Sequence, residues 1–273
     1  MNLSQVKLVV TDMDGTLLNS KSQVSGQFYE LYRALKLHGV HFVAASGRQC
    51  NSIQEKLRPI VDEISIVAEN GGYILHGGSE LGSILLDGRL VRGLVRDLRS
   101  VPEIHTVICG KRSAYIEAPD PRFVQILGEY YTRFDIVEDL AEMYNDDFFK
   151  VAIYHFESSE LGIYPYVKHL ERELQVKVSG TNWVDISDPK ANKGYAIGLL
   201  QEKLAITQEQ TMVFGDFNND LEMLDRAYFS YAMANAHDNV KRAARFSTGS
   251  NDQLGVETVL EELLQAKRMT AQG

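Results

Sequence analysis

Cysteine is nearly absent: 273 residues carry two, Cys50 and Cys109. Two scattered thiols exclude a disulfide framework and point to a reducing compartment. Long apolar runs are missing too. No stretch approaches the roughly 20 apolar residues of a membrane span. The opening Met-Asn-Leu-Ser-Gln-Val-Lys holds no apolar run of signal-peptide length. The expectation is a soluble cytoplasmic protein. Positive charge is in deficit, with 28 Lys and Arg against 37 Asp and Glu and a net charge of −9. That balance argues against a nucleic-acid partner and against an anionic membrane surface. A small phosphorylated molecule stays open, because a metal and a few local cations can reverse the field inside one cleft. Histidines and cysteines never fall at zinc-ligand spacing. The Gly-Gly pairs of residues 69–78 belong to no phosphate-loop or dinucleotide pattern and read as turns.

What is present begins at residues 7–11, a short buried strand built on Leu8, Val9 and Val10. Asp12 and Asp14 follow, then Gly15 and Thr16. An aspartate at the carboxyl end of a parallel strand sits where open α/β sheets bind ligands. Two carboxylates there repel unless a cation or a proton intervenes. A divalent metal could hold Asp12 ionised while Asp14 keeps or exchanges a proton. That division leaves one nucleophile or ligand and one acid/base. Taken alone, the four residues could equally be a polar turn ending a strand.

The chain then alternates. Ser25 caps a helix carrying Phe28, Leu31, Tyr32 and Leu35, ended by Gly39. A strand over 40–45 runs into Ser46-Gly47-Arg48 and a helix over 49–57. Strand, loop, helix, strand is the signature of parallel pairing. A hydroxyl, a glycine amide and a helix start make a small anion site at Ser46, although a helix cap without ligand fits the same residues. A third strand over 64–68 precedes Glu69-Asn70-Gly71-Gly72, and residues 73–75 and 83–86 read as a hairpin.

From about residue 85 the texture changes to hairpins mixed with helices. A basic helix spans 89–100, strands fall at 106–109, 114–117, 134–137 and 148–154, and a helix spans 159–174. Strands at 175–179 and 183–186 close the region. This is an α+β module, read as an insertion over 85–186 between core segments 1–84 and 187–273. Trp183, the single tryptophan, and Tyr164 read as packing. Arg89, Arg92, Arg96 and Arg99 read as a solvated helix face. The βαβ pattern resumes at Lys193-Gly194 and a helix. A strand over 211–214 ends in Gly215-Asp216-Phe217-Asn218-Asn219-Asp220. A last helix spans 256–264, and the polar residues 267–273 read as frayed. The whole is an α/β fold: a doubly wound, mostly parallel, Rossmann-like sheet with an inserted α+β domain.

In a parallel sheet the strand ends carrying Asp12/Asp14, Ser46 and Asp216/Asn219/Asp220 open on one edge, with Lys193 beside them. Asp216 then faces Asp12 across a gap suited to Mg²⁺, which takes carboxylates, a carbonyl and waters. Lys193 and the Ser46–Gly47 amide add positive character for an anion. An aspartate, Mg²⁺, a lysine, a hydroxyl and amides suit phosphoryl transfer.

The order Asp-Met-Asp-Gly-Thr (12–16), Ala-Ser-Gly-Arg (45–48), Lys-Gly (193–194) and Gly-Asp-Phe-Asn-Asn-Asp (215–220) resembles the haloacid dehalogenase superfamily of phosphohydrolases. The long insertion and the Asn70-Gly71 pair resemble its Cof-type branch, which includes many sugar phosphatases. The resemblance implies that Asp12 attacks phosphorus and becomes an aspartyl-phosphate. Asp14 would protonate the leaving alkoxide and then activate water. Mg²⁺ would be held by the Asp12 carboxylate, the Asp14 main-chain carbonyl and Asp216. Ser46, Gly47, Lys193 and Asn219 would hold phosphate oxygens, with Asp220 and Thr16 in support. The expected substrates are small phosphorylated metabolites, sugar phosphates foremost. A phosphomutase or phosphotransferase would use the same aspartyl-phosphate. A phosphorylatable signalling module is a third reading, opposed by Asp14 and by an insertion of domain size.

Overall fold

The computed structural model describes residues 2–117 and 120–271. Its strands in chain order are β1 (Leu8–Thr11), β2 (His41–Ala45), β3 (Ser65–Ala68), β4 (Tyr73–His76), β5 (Ser79–Ser83), β6 (Ile104–Gly110), β7 (Ala114–Glu117), β8 (Phe134–Val137), β9 (Phe148–His155), β10 (Gln175–Val178), β11 (Trp183–Ser187), β12 (Thr211–Gly215), β13 (Phe229–Ala232) and β14 (Phe246–Ser247). They build two sheets. One has the order β14-β13-β12-β1-β2-β3-β4-β5, the other β10-β11-β9-β6-β7-β8.

In the first sheet the run from β14 to β3 is parallel, and β4 and β5 add an antiparallel edge. β1 lies between β2 and β12 and is buried at every position, which is why its sequence is apolar without alternation. Parallel neighbours need crossovers, and helices supply them. The helix Gly26–Leu37 joins β1 to β2. Ser25 Oγ caps it by accepting the Phe28 N–H at 3.0 Å, and it buries Phe28, Leu31, Tyr32 and Leu35 on one face. The helix Cys50–Lys56 joins β2 to β3, and Lys193–Leu204 leads into β12. This winding brings the carboxyl ends of β1, β2 and β12 to one edge.

The second sheet is antiparallel apart from β7 against β8. It has its own apolar packing. The main cluster under the parallel sheet draws on residues 6–75 and 196–264, whereas the two clusters around the second sheet draw on residues 86–186.

Three local expectations differ from the structure. The hairpin partner of β4 is Ser79–Ser83, not residues 83–86, because Gly77 and Gly78 both adopt positive φ and turn the chain at once. The helix expected over 159–174 breaks into Ser159–Gly162, Tyr164–Val167 and a 3-10 turn Lys168–Arg172. Pro165 explains the break: it lacks an N–H and its ring crowds the preceding turn. The last helix runs on to Ala271, with Lys267 Nζ donating to the Ser4 carbonyl at 2.6 Å. Residues 272–273 of the expected frayed end lie outside the described residues.

One glycine sets where Lys193 stands. A methyl group on Gly194 would overlap the Glu222 carbonyl, so only glycine lets the start of the helix Lys193–Leu204 seat against Leu221–Leu224. Gly194→Ala is predicted to lower stability by about 1–3 kcal/mol, the usual cost of overpacking a rigid contact. Urea unfolding of the two proteins measures it, and equal midpoints would refute the contact's importance.

Candidate active site

The turn after β1 carries the centre of the site. Asp12 continues the ladder, its N–H donating to the Phe214 carbonyl at 3.0 Å, and its side chain is buried. Lys193 opens its helix behind the Asn192 cap and is fully buried. Its Nζ donates to Asp12 Oδ1 at 2.5 Å and to Asp220 Oδ1 at 2.7 Å. Asp220 is itself held, since its Oδ2 accepts the N–H groups of Asp216 and Phe217 at 2.9 and 3.1 Å. Gly215 permits that wrap, because a Cβ there would lie 2.7 Å from the Asp220 Cβ. Thr16 Oγ1 donates to Asp216 Oδ1 at 2.8 Å. Gly15, at φ +78°, leaves the space beside Asp216 Oδ2 empty of any side chain.

Carboxylate oxygens of Asp12, Asp216 and Asp220 lie within 4.8 Å of one another. Burial raises the pKa of Asp12 well above the usual carboxylate range. Asp220, Asp216 and Asp14 add to this against the opposing pull of Lys193. Burial, then Asp220, push Asp216 up to about 7. Burial works against the charge of Lys193, yet Asp12 and Asp220 raise its pKa on balance. With all three carboxylates ionised, one ammonium would leave two negative charges in a buried site, and the raised pKa values of Asp12 and Asp216 reflect that cost. A divalent cation would offset that charge, and an all-oxygen donor set fits Mg²⁺. Both Asp220 oxygens are already engaged, so Asp12 and Asp216 are the carboxylates free to hold it.

Asp14 takes a different direction. Its carboxylate is half-exposed and forms a two-point pair with Arg48, Nε to Oδ2 at 2.7 Å and Nη2 to Oδ1 at 2.6 Å. Arg48 also donates to Ser52 Oγ at 3.2 Å and to the Glu129 carbonyl, and stacks 4.9 Å from the Tyr130 ring. Ser46 Oγ accepts the Arg48 N–H at 3.1 Å, closing the loop after β2. Asn219 Nδ2 donates to Asn70 Oδ1 at 2.9 Å.

Asp12, Asp14, Gly15, Ser46, Gly47, Asp216 and Asn219 all line one cavity of about 270 Å³. Lys193, Asp220 and Thr16 stand directly behind it through the bonds above. The Arg89, Arg92, Arg96 and Arg99 series does not reach it. Arg92, Arg96 and Arg99 tie down the neighbouring segment through Met143, Glu142, Glu117 and Asp139. Tyr164 O–H donates to Glu171 at 2.9 Å in an exposed position.

The opposite wall comes from the second sheet, and sequence reasoning did not find most of it. Lys150 on β9 and Asp185 on β11 pair at 3.1 Å, and Lys150 also pairs with Glu69 at 3.2 Å. Lys150 Nζ donates to the Gly47 carbonyl at 2.6 Å, and Asn70 donates to Asp185. Gln49 and Arg133 exchange two further bonds, at 3.0 and 3.2 Å. The lysine and aspartate sit in alternating strand positions that carry no local signal. Only the Glu69-Asn70-Gly71-Gly72 turn hinted at a role. Trp183 packs among aromatic rings, as expected, and also lines the cavity.

Residues 9–260 match the family model of haloacid dehalogenase-like hydrolases. The chain belongs to that family. As a member it is an enzyme, a phosphatase of the Cof-type branch. It is 32% identical over 263 residues to the 5-amino-6-(5-phospho-D-ribitylamino)uracil phosphatase YbjI of Escherichia coli, covering 95% of this chain and 97% of that one. It superimposes on SMU.1108c of Streptococcus mutans with a TM-score of 0.89 at 28% identity, covering 95% and 99% of the two chains. The fold is also that of the subclass IIB sugar phosphatase BT4131, with a TM-score of 0.82 at 20% identity, covering 94% and 98%. Among the described residues no helix is long and apolar enough to cross a membrane.

Lys150, Glu69 and Asp185 are each almost fully buried. Removing the lysine leaves two carboxylates without their cation. Lys150→Met is predicted to cost about 3–5 kcal/mol, as for other broken buried pairs. Lys36→Met, at the exposed Lys36–Glu63 pair, should cost no more than about 1 kcal/mol. Paired urea titrations check this, and similar losses at both sites would contradict it.

Proposed function

We propose that this phosphatase hydrolyses small phosphorylated metabolites, sugar or polyol phosphates foremost, through an aspartyl-phosphate on Asp12. The observation that carries the reading is the buried Lys193 bond to Asp12 at the floor of a polar cavity. Lys193 donates to one Asp12 oxygen, and the second has no protein donor among the described residues. Asp12 forms a bond to phosphorus as the ester P–O bond breaks, and the departing alkoxide takes the Asp14 proton. Asp14 then accepts a proton from water. The water oxygen bonds to phosphorus, the P–O bond to Asp12 breaks, and free phosphate leaves. Arg48 holds the ionised Asp14 carboxylate, the form that takes the proton from water, and one of its two bonds would open when Asp14 carries the proton. Ser46, Gly47, Lys193 and Asn219 orient the phosphate oxygens, while Asp220 holds Lys193 and Thr16 holds Asp216.

Mg²⁺, held by Asp12, the Asp14 main-chain carbonyl and Asp216, would supply charge neutralisation at the transferring phosphoryl group. Residues 85–186 would form a cap over a core of 1–84 and 187–273. Separate apolar clusters support that division. A covered cavity of this size favours a metabolite over a phosphoprotein, and a net charge of −9 disfavours nucleic acid. The name of the Escherichia coli relative supports a phosphate ester on a ribityl chain. Cys50 and Cys109, both free and buried, support a cytoplasmic setting.

Asp12→Asn should abolish phosphate release from a panel of phosphorylated metabolites, by at least about a thousandfold for loss of a covalent nucleophile. Chelation of Mg²⁺ should do the same to the unaltered enzyme. A colorimetric phosphate assay reads both, and turnover by Asp12→Asn at the parent rate would remove the mechanism.

A further inference from the structure

The turns after β1 and β12 carry Asp12, Asp14 and Asp216, and the segment after β13 ties these two turns together from outside the cavity. Every second residue of 233–237 bonds to one of them. The Met233 N–H donates to the Gly215 carbonyl at 3.2 Å, Asn235 Nδ2 to the Gly15 carbonyl at 2.8 Å, and the His237 N–H to the Asp216 carbonyl at 2.8 Å. The outer two hold the β12 turn through main chain. The middle one crosses to the β1 turn through a side chain, over 220 residues of sequence. Asn235 is itself oriented, because its Oδ1 accepts the Asn251 N–H at 3.2 Å and so leaves the amide donor toward Gly15. Asn251 Nδ2 donates to the Leu18 carbonyl at 2.9 Å, and the Ser20 N–H donates to Asp252 Oδ1 at 2.8 Å. The same brace therefore holds the far end of the β1 turn.

Gly15 sits at φ +78° against Asp216. Glycine reaches more backbone states than any other residue, so the peptide that follows it is weakly fixed by its own sterics. That peptide, Gly15–Thr16, gives its carbonyl to Asn235, and the buried Thr16 hydroxyl donates to Asp216 Oδ1 at 2.8 Å. We infer that Asn235 is a positioning residue for the divalent-cation site: it fixes the Gly15–Thr16 peptide, through which Thr16 holds the Asp216 carboxylate toward Asp12. Asn235 touches neither the cavity lining described above nor the carboxylates themselves. Partners that orient metal-binding groups in this way change metal affinity or activity by roughly 10–100-fold when removed. Asn235 is also exposed, and one neutral hydrogen bond in water adds little to folding stability. Its effect on the site and its effect on the fold are therefore separable.

This inference rests on the Mg²⁺-dependent phosphatase reading, but its test needs no turnover. The melting temperature of the substrate-free protein is followed against Mg²⁺ concentration, since an ion that binds only the folded state raises it according to its affinity. For Asn235→Ala, the Mg²⁺ concentration needed for a given rise should increase about tenfold. Its melting temperature without Mg²⁺ should stay within about 4 °C of the unaltered protein. Thr16→Val should weaken the Mg²⁺ response in the same direction. Adding Asn235→Ala to Thr16→Val should then weaken it by less than about threefold more, because two residues acting along one path are not additive. An unchanged Mg²⁺ response in Asn235→Ala overturns the inference. So does a full tenfold loss in the Thr16→Val background, or no Mg²⁺ response by the unaltered protein. Phosphate release is scored separately. If the unaltered protein responds to Mg²⁺ yet releases phosphate from no metabolite in the panel, the phosphatase reading fails, and the Mg²⁺ titrations still decide the role of Asn235.

Discussion

A lysine ammonium in a fully buried position is stable only beside carboxylates, and Lys193 has two, Asp12 and Asp220. Each comes from a different strand end, and the lysine from a helix start. The bond therefore requires that β1, β12 and the helix Lys193–Leu204 meet within hydrogen-bond distance. Several features serve that meeting. Gly194 lets the helix close on its neighbour, Gly215 lets Asp220 fold back onto its own strand end, and Gly15 keeps the Asp216 flank open. The excess of carboxylate over ammonium that remains is a charge that a divalent cation would offset.

A second set of buried ions joins the two sheets. Lys150 reaches from β9 to the Gly47 carbonyl, on the loop that also carries Ser46, while pairing with Glu69 and Asp185. Arg48 reaches the other way, from Asp14 to the Glu129 carbonyl. Opening the cavity would break both contacts along with the Gln49–Arg133 pair. The same bonds that shape the anion loop and orient Asp14 would thus report whether the cavity is shut. Water exclusion and assembly of the acid/base would then be one event.

Much of the core was legible because its signals are local. A continuous apolar run followed by Asp12 and Asp14 marks a buried parallel strand and its ligand-facing end. The same rule places Ser46 and Asp216, and parallel topology brings them together. Arg48 stood in a recognised motif, but its partner Asp14 lies in another loop and its other contacts in another sheet. Lys150 and Asp185 were hidden for a plainer reason. In an antiparallel strand a charged residue at an alternate position reads as solvent-facing, and only the packing of the parallel sheet against that face buries it. The broken helix after Ser159 shows the reverse error. Tyr164, Val167, Leu170 and Leu174 keep helical spacing, yet Pro165 outweighs the periodicity. Trp183 was legible as packing and not as lining, since residue type does not reveal which edge of a ring stays unpaired.

The central claim is that the Asp12 carboxylate, positioned by Lys193, takes the phosphoryl group itself. Rapid acid quench of an Asp14→Asn protein mixed with p-nitrophenyl phosphate, whose leaving group departs without a proton, followed by peptide mass mapping, tests it most directly. The account predicts one added phosphoryl group on the peptide containing Asp12, lost on treatment with hydroxylamine. Substrate consumed with no phosphorylated peptide, or the group found on any other residue, would contradict it.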